Sequence, residues 1–233
     1  MKQYLVGHRG AAGLAPENTP KSFRKGLELG VDAVECDIHL SKDEQLVVIH
    51  DDTLDRTTNH KGWIKDHTLQ QLKQLDAGEG EEIPTLSEVV ELVLKYKKQL
   101  VVEVKGEDVS EAIKTTKTLI EFIKRTNGEN DPFIISLWFE CLELLKAECS
   151  RVQTGVIIYQ EASSDTMLTR AKEVEADTLC VAHNLISKEL VEKAHLHDLT
   201  VNAWTLNSMI AFNRMRSLGV DYLSTDYPDR FKI

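Results

Sequence analysis

Eight short apolar or β-branched runs recur along the 233-residue chain: Tyr4–Gly7, Ala33–Ile38, Leu100–Val104, Phe133–Ser136, Gly155–Tyr159, Thr178–Ala182, Thr200–Trp204 and Tyr222–Thr225. Between most of them the apolar residues fall at helical spacing, as in Leu86, Val89, Val90, Val93 and Leu94, or Ile113, Leu119, Ile120 and Ile123. Helix starts are marked by Thr19 before Pro20, by Thr85 with Glu88 as a capping box, and by Ser164 and Ser187. Gly30 and Gly219 mark two helix ends. Repeated strand and helix alternation demands a parallel sheet, doubly wound or closed. Eight strands, seven intervening helices and a stub after the last strand match a TIM (β/α)8 barrel, whose common size accommodates the whole chain as one domain, residues 1–233. No Gly-x-Gly-x-x-Gly follows the first strand, so a dinucleotide fold lacks its main signal.

One segment breaks the alternation. The apolar run Leu46–His50 follows the second strand after only Leu40–Gln45, too short a link for the crossover that a parallel neighbour requires. It is therefore expected to return as an antiparallel hairpin beyond the barrel rim, carrying His50 back toward Cys36 and Asp37. From Asp51 to about Pro84 the chain is polar and turn-rich, with one short helical stretch around Leu69, Leu72 and Leu75. This segment is expected to be an insertion over the barrel mouth.

Composition narrows the function. Lys and Arg total 28 against 38 Asp and Glu, a net charge of −10 that repels polyanions, so nucleic acid is not an expected partner. The longest wholly apolar runs, such as Leu46-Val47-Val48-Ile49, fall far short of the roughly 18–20 residues of a membrane span. The N-terminus reaches Gly7-His8-Arg9-Gly10 without a signal-peptide core. The four cysteines (Cys36, Cys141, Cys149, Cys180) show no CxxC spacing. A soluble cytoplasmic enzyme with reduced thiols is expected.

The polar residues at the strand ends carry the chemistry. Glu35 and Asp37, two apart on a strand, share one face, and Glu103 and Lys105 repeat the pattern. Three converging carboxylates repel unless compensated, and a hard divalent cation such as Mg²⁺ or Ca²⁺ compensates them. The plainer alternative makes Glu103 and Lys105 an ion pair and Glu35 a solvated rim residue. His8 ends the first strand between Gly7 and Arg9-Gly10, glycines that would permit close approach of a ligand. With His50 on the returning hairpin, two imidazoles could flank one substrate for acid-base work. The other histidines (His39, His60, His67, His183, His195, His197) are assigned surface or packing roles. Arg9 and Lys105 are natural phosphate ligands. Ser136, Trp204, Asn207 and Asp226 also stand at or just past strand ends, and Trp204 fits either a pocket wall or simple packing.

In chain order, the sequence carries His8-Arg9-Gly10, Pro16-Glu17-Asn18-Thr19, Glu35-Cys36-Asp37, His50-Asp51, Leu54-Asp55-Arg56-Thr57-Thr58, Ile83-Pro84-Thr85-Leu86, Glu103-Val104-Lys105, Trp204-Thr205-Leu206-Asn207 and Thr225-Asp226-Tyr227-Pro228. The ordered set resembles the glycerophosphodiester phosphodiesterases over the full length. The resemblance implies a TIM barrel with an insertion after the second strand, a Mg²⁺ or Ca²⁺ ion on Glu35, Asp37 and Glu103, and His8 and His50 as the catalytic pair. It further implies that Arg9 and Lys105 hold the phosphate of a glycerophosphodiester, with Trp204 beside the substrate and Glu17, Asn18, Asp51 and Asp226 in support. The implied reaction is hydrolysis of glycerophosphocholine, glycerophosphoethanolamine or similar diesters to glycerol 3-phosphate and an alcohol, with attack by the substrate's own 2-hydroxyl. A phospholipase-like barrel acting on intact lipid and a catalytically silent diester-binding protein are the alternatives. Two departures stand out: Ser41-Lys42-Asp43-Glu44 replaces the family's Thr-x-Asp-Gly turn, and Ser136-Leu137-Trp138 stands where Ser-Phe is common.

Overall fold

The computed structural model describes residues 2–126 and 132–231, which leaves the two ends of the expected domain, Met1 and residues 232–233, outside the described residues. Eight strands close into a parallel barrel: β1 (Tyr4–Gly7), β2 (Ala33–Leu40), β4 (Gln99–Val104), β5 (Phe133–Ser136), β6 (Thr154–Ile158), β7 (Thr178–Ala182), β8 (Thr200–Trp204) and β9 (Tyr222–Thr225). Closure comes from β1, which pairs in parallel with both β9 and β2. The ninth strand, β3 (Leu46–Val48), runs antiparallel to β2 with Ile38 opposite Val48, the expected hairpin. β2 is two residues longer than the sequence pattern suggests, because its end pairs with β3 outside the barrel.

Seven helices connect the barrel strands: α1 (Pro20–Glu28), α3 (Leu86–Lys95), α4 (Val109–Arg125), α5 (Phe139–Glu148), α6 (Ser164–Glu173), α7 (Lys188–Leu196) and α8 (Met209–Leu218). Their starts follow local chemistry. The Thr19 hydroxyl accepts the Ser22 amide, and Thr85 and Glu88 cap each other reciprocally, contacts worth about 1 kcal/mol each. Ser164 opens α6, but the capping hydroxyl is that of Ser163. Gly219 ends α8 in the left-handed region, and Gly30 follows α1 with φ 87°.

Strand alternation sorts the side chains into two layers. Leu100, Val102 and Val104 of β4 face the helices, while Val101 joins Val6, Ala33, Phe133, Ile157, Cys180 and Tyr222 in the barrel interior. Glu35 and Asp37 continue the inward face of Ala33, and Glu103 continues that of Val101. The floor of the barrel is thus apolar and its C-terminal mouth is polar. On the β2 side of this mouth stands the insertion, which builds its own small core from Leu54, Ile64, Leu72, Ala77 and Ile83 against Val47 and Ile49. Its one short α-helix, α2 (Leu69–Leu72), is the stretch expected there.

Candidate active site

Every candidate residue lies at the C-terminal end of the barrel. The β2–β4 register sets Asp37 directly across from Glu103, which brings ligand atoms of Glu35, Asp37 and Glu103 within 4.8 Å of one another. Glu35 and Asp37 are almost completely buried, so the solvated-rim alternative for Glu35 is excluded. The Lys105 ammonium does pair with Glu103 Oε1 at 2.5 Å, yet it also stands 3.2 Å from Asp37 Oδ1, so it serves the whole cluster.

The β1–α1 loop wraps this cluster. Arg9 takes a left-handed backbone, φ 48°, and its amide donates to Glu35 Oε2 at 2.9 Å. Its guanidinium donates to Glu17 Oε1 at 2.8 Å and approaches Asp37 Oδ2 at 3.4 Å. Asn18, also left-handed, donates its side-chain amide to Asp37 Oδ2 at 2.8 Å. The glycines of this loop also meet a packing demand within the protein. A Cβ on Gly7 would sit 2.0 Å from the Gly10 carbonyl oxygen, and one on Gly26 of α1 would sit 2.6 Å from the same atom. They let the loop lie against the helix, backbone to backbone.

Both histidines are held by carboxylates at Nδ1: His8 by Asp226 at 2.7 Å and His50 by Asp51 at 2.6 Å. That leaves each Nε2 as the nitrogen for proton exchange, and His8 Nε2 lies 3.9 Å from Glu35 Oε2. Burial opposes the charged form of His8, but Asp226 and Glu35 outweigh it and the titration moves up from the ordinary value. At His50 burial wins, helped by Lys105 and Arg9, and the titration moves down.

The two inward carboxyls of β2 are driven apart. Burial, then the charge on Asp37, pushes Glu35 up to about 8. Asp37 is equally buried, but Lys105, Arg9, His50 and the Asn18 amide overcome that cost and hold it well below the usual carboxylate range. Glu103 is raised, chiefly by burial. Glu35 Oε1 and Asp37 Oδ1 are buried and accept no hydrogen bond, although the Lys105 ammonium stands 3.2 Å from the latter, and oxygens left in this condition within a three-carboxylate cluster suit an oxygen-seeking cation.

A cavity of about 330 Å³ opens above the carboxylates. His8, Arg9, Glu35, His50, Glu103 and Lys105 line one side, and Ile135, Leu137, Ile157, Tyr159 and Trp204 the other. Trp204 is therefore a wall residue, and Leu137 fills the wall where the family commonly has Phe. Ser136 is structural, donating to the Val104 carbonyl at 3.2 Å.

Asn207 stands past a strand end as expected, but the sequence assigns no partner to it, to Arg56 or to His39. Arg56, within the insertion, donates twice to Glu17 (2.7 and 2.8 Å) and twice to Asp51 (2.7 and 3.0 Å), tying the partner of Arg9 to the partner of His50. Asn207 receives the Asp226 amide and donates to its carboxylate at 2.6 Å, orienting the carboxylate that holds His8. His39 is buried, with Nε2 3.1 Å from the His50 carbonyl oxygen. Period-two alternation from Glu35 through Asp37 would have put His39 on the same face. Arg56 and Asn207 stood within quoted motifs, but no local pattern tells what they bind.

Fold and site together define a TIM-barrel hydrolase with a carboxylate cluster, two carboxylate-held imidazoles and two cationic side chains at one mouth. Residues 8–230 match the glycerophosphoryl diester phosphodiesterase family, and the chain belongs to that family. A glycerophosphodiester phosphodiesterase of Caldanaerobacter subterraneus subsp. tengcongensis is 37% identical, over 98% of this chain and 96% of that protein. One from Bacillus altitudinis is 31% identical, over 97% and 95%. Among solved structures, an Oleispira antarctica phosphodiesterase in complex with the product sn-glycerol-3-phosphate superposes with a TM-score of 0.91 at 28% identity, covering 98% of this chain and 95% of that one. No helix among the described residues is long and apolar enough to cross a membrane.

Proposed function

We propose that this phosphodiesterase hydrolyses free glycerophosphodiesters, such as glycerophosphocholine and glycerophosphoethanolamine, to glycerol 3-phosphate and an alcohol, and that it requires a divalent cation, Mg²⁺ or Ca²⁺. The observation that carries this reading is the pair of buried carboxylate oxygens without hydrogen bonds, Glu35 Oε1 and Asp37 Oδ1, set beside Glu103. Bound by Glu35, Asp37 and Glu103, such a cation supplies charge against the phosphoryl oxygens and acidity to a nearby hydroxyl.

The chain's own groups do the rest. Arg9 and Lys105 lie beside the carboxylates and line the cavity, so a phosphate seated there meets both positive charges. The wall that includes Ile135, Leu137, Ile157 and Trp204 offers apolar contact to the carbon atoms of the substrate. Attack by the diester's 2-hydroxyl forms a bond from that oxygen to phosphorus and breaks the bond to the alcohol. One imidazole takes the 2-hydroxyl proton at Nε2, and the other gives its Nε2 proton to the departing oxygen. Water then opens the cyclic phosphate with the two imidazoles in exchanged roles. Intramolecular attack benefits from effective molarities of about 10⁵–10⁸ M. Glu17, Asn18, Asp51 and Asp226 fix the groups that act.

We read the chain as one domain over 1–233, with its insertion at about 51–84, acting in the cytoplasm. The buried thiols of Cys36, Cys141 and Cys180 support a reducing compartment. The test is a coupled assay for glycerol 3-phosphate with and without EDTA, together with a diester lacking the 2-hydroxyl. Turnover that survives EDTA sinks the cation requirement. Cleavage of the 2-deoxy analogue at the rate of glycerophosphocholine sinks the cyclic route.

A further inference from the structure

Past His50 the rim drops into a second depression of about 350 Å³, bordered by His39, His50, Asp51, Asp52, Trp63 and Lys105. It shares His50 and Lys105 with the main cavity, so the same imidazole and ammonium border both. An alcohol departing over His50 would enter it.

The charges around this depression are mostly committed. Asp51 is bound to His50 and Arg56, and Lys105 to Glu103 and Asp37. Asp52 differs. Its side chain is 40% exposed, and among the described residues its nearest ionic neighbour is His39 Nδ1 at 3.6 Å, beyond hydrogen-bond reach. Facing the same depression is the Trp63 ring, 38% exposed. That ring already accommodates an ammonium: Lys65 Nζ lies 4.9 Å from its centroid, its charge paired with the Glu107 and Glu111 carboxylates. The backbone locks acid and ring together, because the Ile64 amide donates to the Asp52 carbonyl at 3.0 Å and Thr53 bridges to Trp63. Asp52 is two residues beyond His50, so their Cα atoms are at most about 7 Å apart. The oxygen and nitrogen of a two-carbon amino alcohol lie at most about 4 Å apart, and a polar contact of about 3 Å at each end lets such a molecule reach between side chains on residues this close.

We propose that this depression is the leaving-alcohol subsite, and that Asp52 and the face of Trp63 select diesters whose alcohol carries an ammonium group over those with a neutral polyol. The assignment rests on the phosphodiesterase reading above. It makes the insertion the specificity element of the enzyme, since Asp52 and Trp63 both belong to it.

The experiment measures kcat/KM for glycerophosphocholine and for glycerophosphoglycerol with the full-length protein in saturating cation. In the parent the choline diester is preferred. Asp52→Asn, which keeps the side chain's size, is expected to lower the choline-to-glycerol ratio by about fivefold, the scale of one half-exposed charge. Asp52→Lys lowers it further. Trp63→Leu, which keeps apolar bulk while removing the ring face, lowers it independently. A parent without preference, or variants that lose activity equally on both diesters, overturns the subsite. A parent that cleaves neither diester refutes the phosphodiesterase reading itself, an outcome distinct from a ratio that fails to move.

Discussion

Cation binding to this site should be strongly proton-linked, and Glu35 is the reason. Its carboxyl is buried with the charged Asp37 two residues away on the same face, which pushes it up to about 8. In the cation-free protein at pH 6 it therefore holds a proton, whereas a ligand to a hard cation must be ionised. Each cation bound below pH 8 expels that proton. Expulsion of one proton makes affinity rise about tenfold per pH unit, so between pH 5.5 and 7.5 the dissociation constant falls roughly 100-fold, then levels off above 8. Asp37 adds no slope here, because Lys105 and Arg9 already hold it ionised. Stability carries the same signature with the opposite sign. Unfolded Glu35 titrates near 4.5 and folded Glu35 near 8, so its contribution is fully present below 4.5 and is lost as pH climbs to 8. The raised His8 and Glu103 act in the same direction, while the lowered His50 and His39 act against it, so the Glu35→Gln variant isolates the Glu35 share. The cation-free protein should therefore melt at lower temperature at pH 8 than at pH 5.5, and saturating cation should reverse the loss. Calorimetric titration of Mg²⁺ and Ca²⁺ in two buffers of different ionisation enthalpy counts the protons released. A dissociation constant that changes less than about twofold over the two pH units would refute the reasoning. Glu35→Gln should abolish the slope as well as weaken binding.

His8→Ala and His50→Ala should each lower kcat by roughly 10²–10⁴-fold while retaining calorimetric cation binding, and an unchanged pH–rate profile in either variant would remove that imidazole from proton transfer. Asp226→Asn takes away the carboxylate that raises His8, so the His8 resonance should titrate at lower pH by NMR; a titration that stays put would show that Asp226 does not set it. At the β2–β3 turn, Glu44 sits at φ 58° where the family's turn has Gly. Glu44→Gly should stabilise by up to about 1 kcal/mol in urea unfolding, and a destabilised variant would mean that the Glu44 side chain contributes more than its strained backbone costs.

Much of this protein is set within short stretches of chain. The two-residue period of β2 and β4 is enough to aim Glu35, Asp37 and Glu103 inward, because a strand alternates its faces whatever surrounds it. The six residues Leu40–Gln45 suffice to force a hairpin, and Thr19, Thr85 and Glu88 cap helices through bonds spanning three residues. The ordered motifs made even the family legible. Other features depend on contacts between residues far apart in sequence. His8 and Asp226 are 218 residues apart and meet only because β1 closes against β9. Arg56 reaches Glu17 only once the insertion has folded on its own small core beside β3. The clearest case is the opposite titration of Glu35 and Asp37, two carboxyls two residues apart, on one face and equally buried. A sequence pattern treats them alike. What separates them is the Asn18 amide, the Arg9 guanidinium and the Lys105 ammonium gathered around Asp37 from other segments, while Glu35 feels the Asp37 charge itself. Such energies depend on distance and desolvation in three dimensions, which the order of residues along a chain does not specify.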